Sequence, residues 1–345
     1  MHDFNSSNER IKHRYFRVLK EARGQSETTI DQTARSILDF ERSTGFASFE
    51  EFNEDMAANY KKDLRNHENQ RTRQPLSPSS IRSHLLAVQK FFRWYLEHLP
   101  RGKKIEKDAI DFLNPSNVET ALARTSIRTK TIPTPEQLEH LFDTLPSTTI
   151  GQRRDRAIIA FLALTACRVG ALLHVRIKHL DLERQVLNLD AREIPTKFSK
   201  SFTTPFFPIG KRYHQELVSW VDELRRKQFF GSDDPLFPRL KVKVTKSQGF
   251  VSAGLTRDFM KSTGTVTKMV GTAFEASGLP KTSPHRFRDM IVELIGKANL
   301  SIDEAKAFSM ALGHEDLSVT FTSYGVPTRD QQRAIMDQVR QRLEV

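Results

Sequence analysis

The sequence predicts a mainly α-helical protein with a small antiparallel β-sheet in its C-terminal domain. Three observations carry that prediction. Apolar residues recur at intervals of three and four along most of the chain, the period of an amphipathic helix. The region from Val186 to Pro208 instead breaks into short strand-like runs. Between Ser116 and Pro133 the chain turns polar and basic with no clear period, which reads as a linker between two helical parts.

Residues 1–24 are polar and mixed in charge, and read as a leader or an extra helix. Residues 25–115 form an N-terminal helical domain. Helices are expected at about 29–44 and 48–66, parted at Gly45, and the polar stretch from His67 to Ser77 is expected as a loop. Ile81, Leu85, Val88, Phe92 and Leu96 then step by four, three, four and four along one helical face. Arg82, Gln89, Lys90 and Arg93 fall mostly off that stripe. Their plain reading is a solvated face. A DNA-facing role for Arg82, Lys90 and Arg93 follows only if the other domain handles DNA.

The linker, residues 116–133, carries Arg128 and Lys130, which could lie along phosphates. The C-terminal domain spans 134–345. Thr134-Pro135-Glu136 opens it, proline being suited to a first helical turn. Helices are expected at 135–145 and 152–165, and after a break at Arg168-Val169-Gly170 another runs to Val175. Strands are expected at 186–189, 192–196 and 202–208, with Lys197 to Ser201 as a hairpin tip. A helix at 211–228 precedes an irregular basic stretch, 239–262. Helices are expected again at 265–277, 285–297, 302–312, 316–323 and 328–343.

Composition narrows the partners. The 345 residues are 38% hydrophobic and 28% charged, the balance of a globular chain. Lys and Arg number 54 against 42 Asp and Glu, a formal charge of +12 that raises the expectation of a polyanionic partner. Cys167 is the single cysteine, which excludes an internal disulfide and a cysteine-rich zinc site. The first sixteen residues have no apolar core, so no secretory signal is expected. No apolar run approaches the ~20 residues that cross a bilayer. A cytoplasmic, nucleoid-associated protein without a membrane partner is the resulting expectation. No phosphate-loop signature suggests ATP or GTP, and no cofactor or metal is called for.

The last sixty residues hold Pro284-His285-Arg286-Phe287-Arg288, then Gly313-His314, then Tyr324. Arginine can grip a phosphate through two parallel hydrogen bonds, and histidine can donate to it or move a proton. Tyrosine can attack it covalently. His285 and Arg288 are three positions apart, hence on one helical face.

Upstream, Thr165-Ala166-Cys167-Arg168-Val169-Gly170-Ala171-Leu172-Leu173 resembles the TGLRxxEL box of the tyrosine recombinases, the phage-integrase and Xer-type DNA strand-exchange enzymes. His285 to Arg288 is similar to their HxxR box and Leu312-Gly313-His314 to their LGH box. Lys197 falls where they carry a hairpin lysine, and Tyr324 stands in the place of the nucleophile. Each piece is unspecific by itself; the ordered set is specific, and the resemblance extends through both domains.

The resemblance implies a two-domain, C-shaped clamp on double-stranded DNA, four protomers on two DNA sites, and accessory proteins that direct the reaction. It implies that Arg168 and Arg288 hold the scissile phosphate while His285 and His314 bond its oxygens. Tyr324 would attack to form a 3′-phosphotyrosyl link. Lys197 would protonate the departing 5′-oxygen, with Lys200 as the rival for that role or as a DNA contact. Arg329 to Leu343 would form an amphipathic helix able to dock on a neighbour.

Two positions depart from the pattern. Ala171 stands where the family usually has an acid that braces the site, so another group or water must do the bracing. Tyr324 is ten positions beyond His314, one more than is usual. Two alternatives arise. One is a DNA-binding protein of the same fold that turns over weakly or not at all; the other is a solitary enzyme that relaxes DNA as type IB topoisomerases do.

Overall fold

The computed structural model describes residues 4–68, 73–99, 102, 105–125, 131–196, 200–245, 249–296 and 300–313, with 332, 333, 336, 337, 340 and 341 near the end. The chain divides into two compact units, Met1–Arg128 and Thr129–Val345.

The N-terminal unit is helical. Its helices are α1 (Ser6–Arg17), α2 (Glu27–Ser43), α3 (Glu54–Asn66), α4 (Pro78–Glu97) and α5 (Asn117–Thr125), with a 3-10 turn at Asp108–Leu113. Local chemistry sets the starts. Asn5, Ser26, Asn53 and Ser77 each accept a hydrogen bond from a backbone N–H of the first turn that would otherwise lack a partner. Pro78 adds a fixed φ at the head of α4.

Of the stripe on α4, Ile81, Leu85, Val88 and Phe92 are buried as the period requires. Aromatic rings fill the core around it. Phe52 stacks on Phe92 at 3.8 Å, and Phe40 meets Tyr60 edge-on at 5.2 Å. Each such side chain contributes about 1.5–3 kcal/mol relative to exposure.

Three expectations are sharpened here. Of the two readings of the N-terminal stretch, the extra helix holds from Ser6: α1 and the turn after it bury Tyr15 and Leu19 in this core. Buried Asn8 donates to Glu41 at 3.1 Å and accepts from the Phe49 N–H, while Lys12 donates to the other Glu41 oxygen at 2.6 Å. A buried charge needs such partners, so the polar letters that suggested a leader are the interior of a network. The expected linker, 116–133, begins as a helix, since α5 covers Asn117–Thr125. Gln89 is buried on α4 and donates to Asn114 Oδ1 at 2.6 Å, so it does not share the solvated face.

The C-terminal unit comprises α6 (Pro135–Thr144), α7 (Ile150–Thr165) and α8 (Val169–Leu172), then strands β1 (Leu180–Asp181), β2 (Val186–Leu189) and β3 (Phe202–Pro205). It continues with α9 (Lys211–Asp222), β4 (Pro238–Thr245), β5 (Gly249–Phe259), α10 (Thr263–Ala276), α11 (His285–Gly296) and α12 (Ile302–Ala311). From Ala157 to Leu164 helix α7 is apolar and buried on every side and forms the axis of the core, as a helix segment buried all round must. Arg156 crosses from it to the carbonyl oxygens of Phe142 (3.0 Å) and Leu145 (2.7 Å) and pairs with Glu216, tying α6, α7 and α9 together.

The small sheet runs β1-β2-β3, antiparallel, with Leu187 opposite Thr204 and Leu189 opposite Phe202. Residues 192–196 are not a strand. Asp190 accepts from the Arg192 N–H and side chain, its carbonyl accepts from Glu193 and Ile194, and the chain turns. Conversely, the stretch expected as irregular, 239–262, is mostly the hairpin β4-β5, an antiparallel ladder from Pro238↔Phe259 to Thr245↔Gly249. The alternation Lys241-Val242-Lys243-Val244 is its sequence signal. The fold class is as expected: mainly helical with small antiparallel sheets.

Candidate active site

Helix α7 ends at Thr165, and the turn after it aims Arg168. Ala166 adopts the left-handed conformation (φ 49°), which costs a residue with a Cβ about 1–2 kcal/mol. The Thr165 hydroxyl donates to Phe161 O at 2.7 Å and accepts from the Cys167 N–H at 3.2 Å, which closes the turn. Arg168 is then extended (φ −66°, ψ 135°) and half-buried at the head of α8. Among the described residues its guanidinium has no hydrogen-bond or ion-pair partner. Burial lowers its pKa, and Cys167 opposes that shift.

Arg288 reaches the same place from α11. Phe287, Met290 and Ile291 anchor that helix in the core, and Arg288 itself is buried. Its guanidinium donates to Ala166 O at 2.8 Å and to Leu312 O at 2.6 Å. One side chain thus joins the end of α7, the first turn of α11 and the end of α12. These two carbonyls hold Arg288 without an acid at position 171, where Ala171 is buried. Asp289, also buried, pairs with Arg286 rather than with Arg288.

The third wall comes from β3. Thr204 donates its hydroxyl to Ala311 O at 3.0 Å. Gly313 has φ +65°, and a Cβ there would meet the Phe202 ring at 2.8 Å. Strand β3 and the end of α12 are therefore in register with each other. Arg168, Arg288, Ala171, Thr196, Phe202 and Thr204 line one pocket, with Cys167 beside them. Burial pushes the Cys167 thiol up to about 12, so it is protonated at neutral pH and no nucleophile.

Of the expected site residues, Arg168 and Arg288 converge on this pocket. His285 stands on the first turn of α11, exposed, one helical turn before Arg288. Lys197, His314 and Tyr324 lie outside the described residues, as do Arg128, Lys130 and the expected helix at 316–323. Only six residues of the expected C-terminal helix are described. Lys197 belongs to the connection between Thr196 and Lys200, where the Thr196 hydroxyl donates to Lys200 O at 2.7 Å. Lys200 is exposed. On α4, Arg82, Lys90 and Arg93 are exposed, and Arg93 lies 3.7 Å from the Asp111 carboxylate.

Sequence reasoning missed Phe202, Thr204 and the carbonyls of Ala166 and Leu312. No residue-type signal marks them, because what matters is where β3 and two main-chain oxygens fall in space.

Residues 133–329 match the phage integrase family. The chain belongs to that family. Its fold is that of the tyrosine recombinases. Among curated proteins no sequence match is found.

The solved structures similar to this integrase-family chain include the following three. The Tn1549 transposon integrase in complex with transposon right-end DNA superposes with a TM-score of 0.64 at 17% identity, covering 95% of this chain and 99% of that one. XerH site-specific recombinase, bound to palindromic difH in a post-cleavage complex, gives 0.63 at 18%, covering 95% and 84%. A lambda integrase dimer bound to a COC′ core site gives 0.62 at 16%, covering 93% and 96%. At such identities the likeness is one of fold. No helix among the described residues is long and apolar enough to cross a membrane.

Proposed function

We propose that this chain is a site-specific DNA recombinase that cuts and rejoins strands through a covalent 3′-phosphotyrosyl intermediate. The observation that carries the reading is the pocket shared by Arg168 and Arg288. Two guanidiniums on one concave surface suit a phosphodiester, whose charge otherwise repels an incoming oxygen. Arg288 is fixed by two carbonyls, while Arg168 has no acceptor among the described residues and is available to a phosphate.

In this reading the phosphate sits between the guanidiniums with a non-bridging oxygen toward His285. The Tyr324 oxygen forms a bond to phosphorus as the bond to the 5′-oxygen breaks. A histidine, His285 or His314, accepts the tyrosine proton, and Lys197 gives one to the leaving oxygen. The phosphotyrosyl bond keeps the energy of the diester, so a 5′-hydroxyl from another strand can reverse the step without ATP. Reversal onto a new partner is recombination.

Double-stranded DNA is the proposed substrate, held by both units, with the exposed face of α4 bearing Arg82, Lys90 and Arg93 as the N-terminal contact. Arg128, Lys130 and Lys200 are proposed as further contacts. Four copies on two sites, with accessory proteins choosing direction, complete the reading, and the nucleoid is where such a protein would work. The test is a nicked-duplex library incubated with the protein. Covalent protein–DNA adducts that vanish in Tyr324→Phe and fall steeply in Arg168→Ala support the reading; adducts that persist in Tyr324→Phe overturn it.

A further inference from the structure

The N-terminal unit holds a second cavity, which strand cleavage leaves without a role. It lies against α1 and the C-terminal part of α4, and its empty volume, open mouth included, is about 450 Å³. Trp94 and Tyr95 line it and are each 3% exposed. Both leave a buried polar atom, Trp94 Nε1 and Tyr95 Oη, with no hydrogen-bond partner among the described residues. An unmet buried donor costs about 1–3 kcal/mol, so such groups are usually completed by water or a ligand. Indole N–H can only donate, hence whatever completes it presents an acceptor.

The rim is cationic. Arg10 and Arg14 are exposed, one helical turn apart on α1, and among the described residues neither has an ion pair or a hydrogen bond. The Arg14 guanidinium lies 5.8 Å from the Trp94 ring centroid. His98 stacks against that ring at 4.9 Å, and its Nδ1 donates to Trp94 O at 2.8 Å, which leaves Nε2 of the neutral ring as an acceptor. Glu50 is the one acid of the lining.

Two guanidiniums above two buried neutral donors match an oxyanion, and among oxyanions a phosphate offers the most acceptor oxygens. Polar atoms that are themselves buried are harder to reach for a phosphodiester inside a rigid duplex than for a small terminal phosphate. A terminal phosphate can enter. His98 Nε2 can then accept from a hydroxyl or amino group on the rest of the ester. We propose that this cavity binds a phosphomonoester, either a free nucleotide or the phosphorylated end of a DNA strand. It does so independently of strand cleavage.

The chain supplies its own reporter, because Trp94 and Trp220 are its two tryptophans. Trp220 is buried in the C-terminal unit with its N–H on Leu236 O at 2.8 Å, so a ligand-dependent fluorescence change reports Trp94. The full chain is titrated with thymidine 5′-monophosphate, thymidine, inorganic phosphate, and short duplexes with and without 5′-phosphates. The expected result is a saturable change with the monophosphate or the 5′-phosphorylated duplex. Arg10→Ala or Arg14→Ala weakens it by about tenfold or more, the loss of a charge-assisted hydrogen bond. Both residues are exposed, so the variants fold, and Arg168→Ala leaves the binding unchanged. Thymidine binding as tightly as its monophosphate overturns the proposal. So does the absence of any saturable change, or a change that survives both α1 variants.

Discussion

The ring of Phe202 lies so close to Gly313 that a Cβ at 313 would stand 2.8 Å from its Cζ. Gly313 also has φ +65°, so glycine is needed there twice over, for conformation and for space. Gly313→Ala is expected to lower stability in urea unfolding by about 1–3 kcal/mol. Adding Phe202→Leu should relieve the contact and recover only part of the loss, because the backbone strain remains.

Thr204 tests the same junction through a hydrogen bond. Thr204→Val keeps the shape but leaves Ala311 O without the hydroxyl, and should cost about 1–3 kcal/mol. Thr203, exposed on the same strand and bonded to Asn188, is the control. Thr203→Val should move stability by less than about 0.5 kcal/mol. Equal losses at both positions would contradict the role given to Thr204.

Arg288→Lys separates charge from geometry. Lysine keeps the positive charge but cannot present the planar fork that serves Ala166 O and Leu312 O together. A drop of about 1–3 kcal/mol in thermal unfolding is expected from the orphaned carbonyl. Adduct formation on DNA should fall with it. Retention of full stability would show that the two carbonyls do not hold this side chain in place.

Stability should fall at both ends of the pH range. On the alkaline side Cys167 is pushed from its ordinary 9.0 up to about 12 by burial, and burial also raises Tyr60 and Tyr213. Groups whose folded pKa is raised release protons more readily when unfolded, so stability declines above about pH 9. On the acid side His179 is buried, and its Nδ1 accepts the Arg176 N–H while Nε2 donates to Glu193. Burial lowers its pKa, with Lys178 and Arg176 adding to that and Glu193 opposing it. The unfolded chain then takes up the proton first, and stability declines below about pH 6.5. Urea midpoints from pH 5 to 11 check both limbs. Native Cys167 should also resist thiol reagents at pH 8 and react only on unfolding.

The helical period made most of this fold legible. The stripe Ile81, Leu85, Val88 and Phe92 packs as it predicts, and two of the three expected strands became β2 and β3, while the two-residue β1 was not expected. Polarity misled where it met burial. Asn8, Lys12 and Glu41 look like surface letters but satisfy one another inside the core. The β4-β5 hairpin was hidden because its lysines outweighed the alternating valines. At the site, nothing in the local sequence places Arg168 beside Arg288, 120 residues away; the ordered motifs of a family suggested the pair. The carbonyls that hold Arg288 were illegible for a simpler reason, since every residue carries one.

In the proposed reaction Tyr324 takes the strand onto itself. The direct measurement is digestion of the protein–DNA adduct with protease and nuclease, followed by mass spectrometry of the modified peptide. A nucleotide joined through its 3′-phosphate to Tyr324, absent from Tyr324→Phe, is the result expected. A nucleotide on another side chain, or no adduct on any duplex of a library that the protein demonstrably binds, would contradict it.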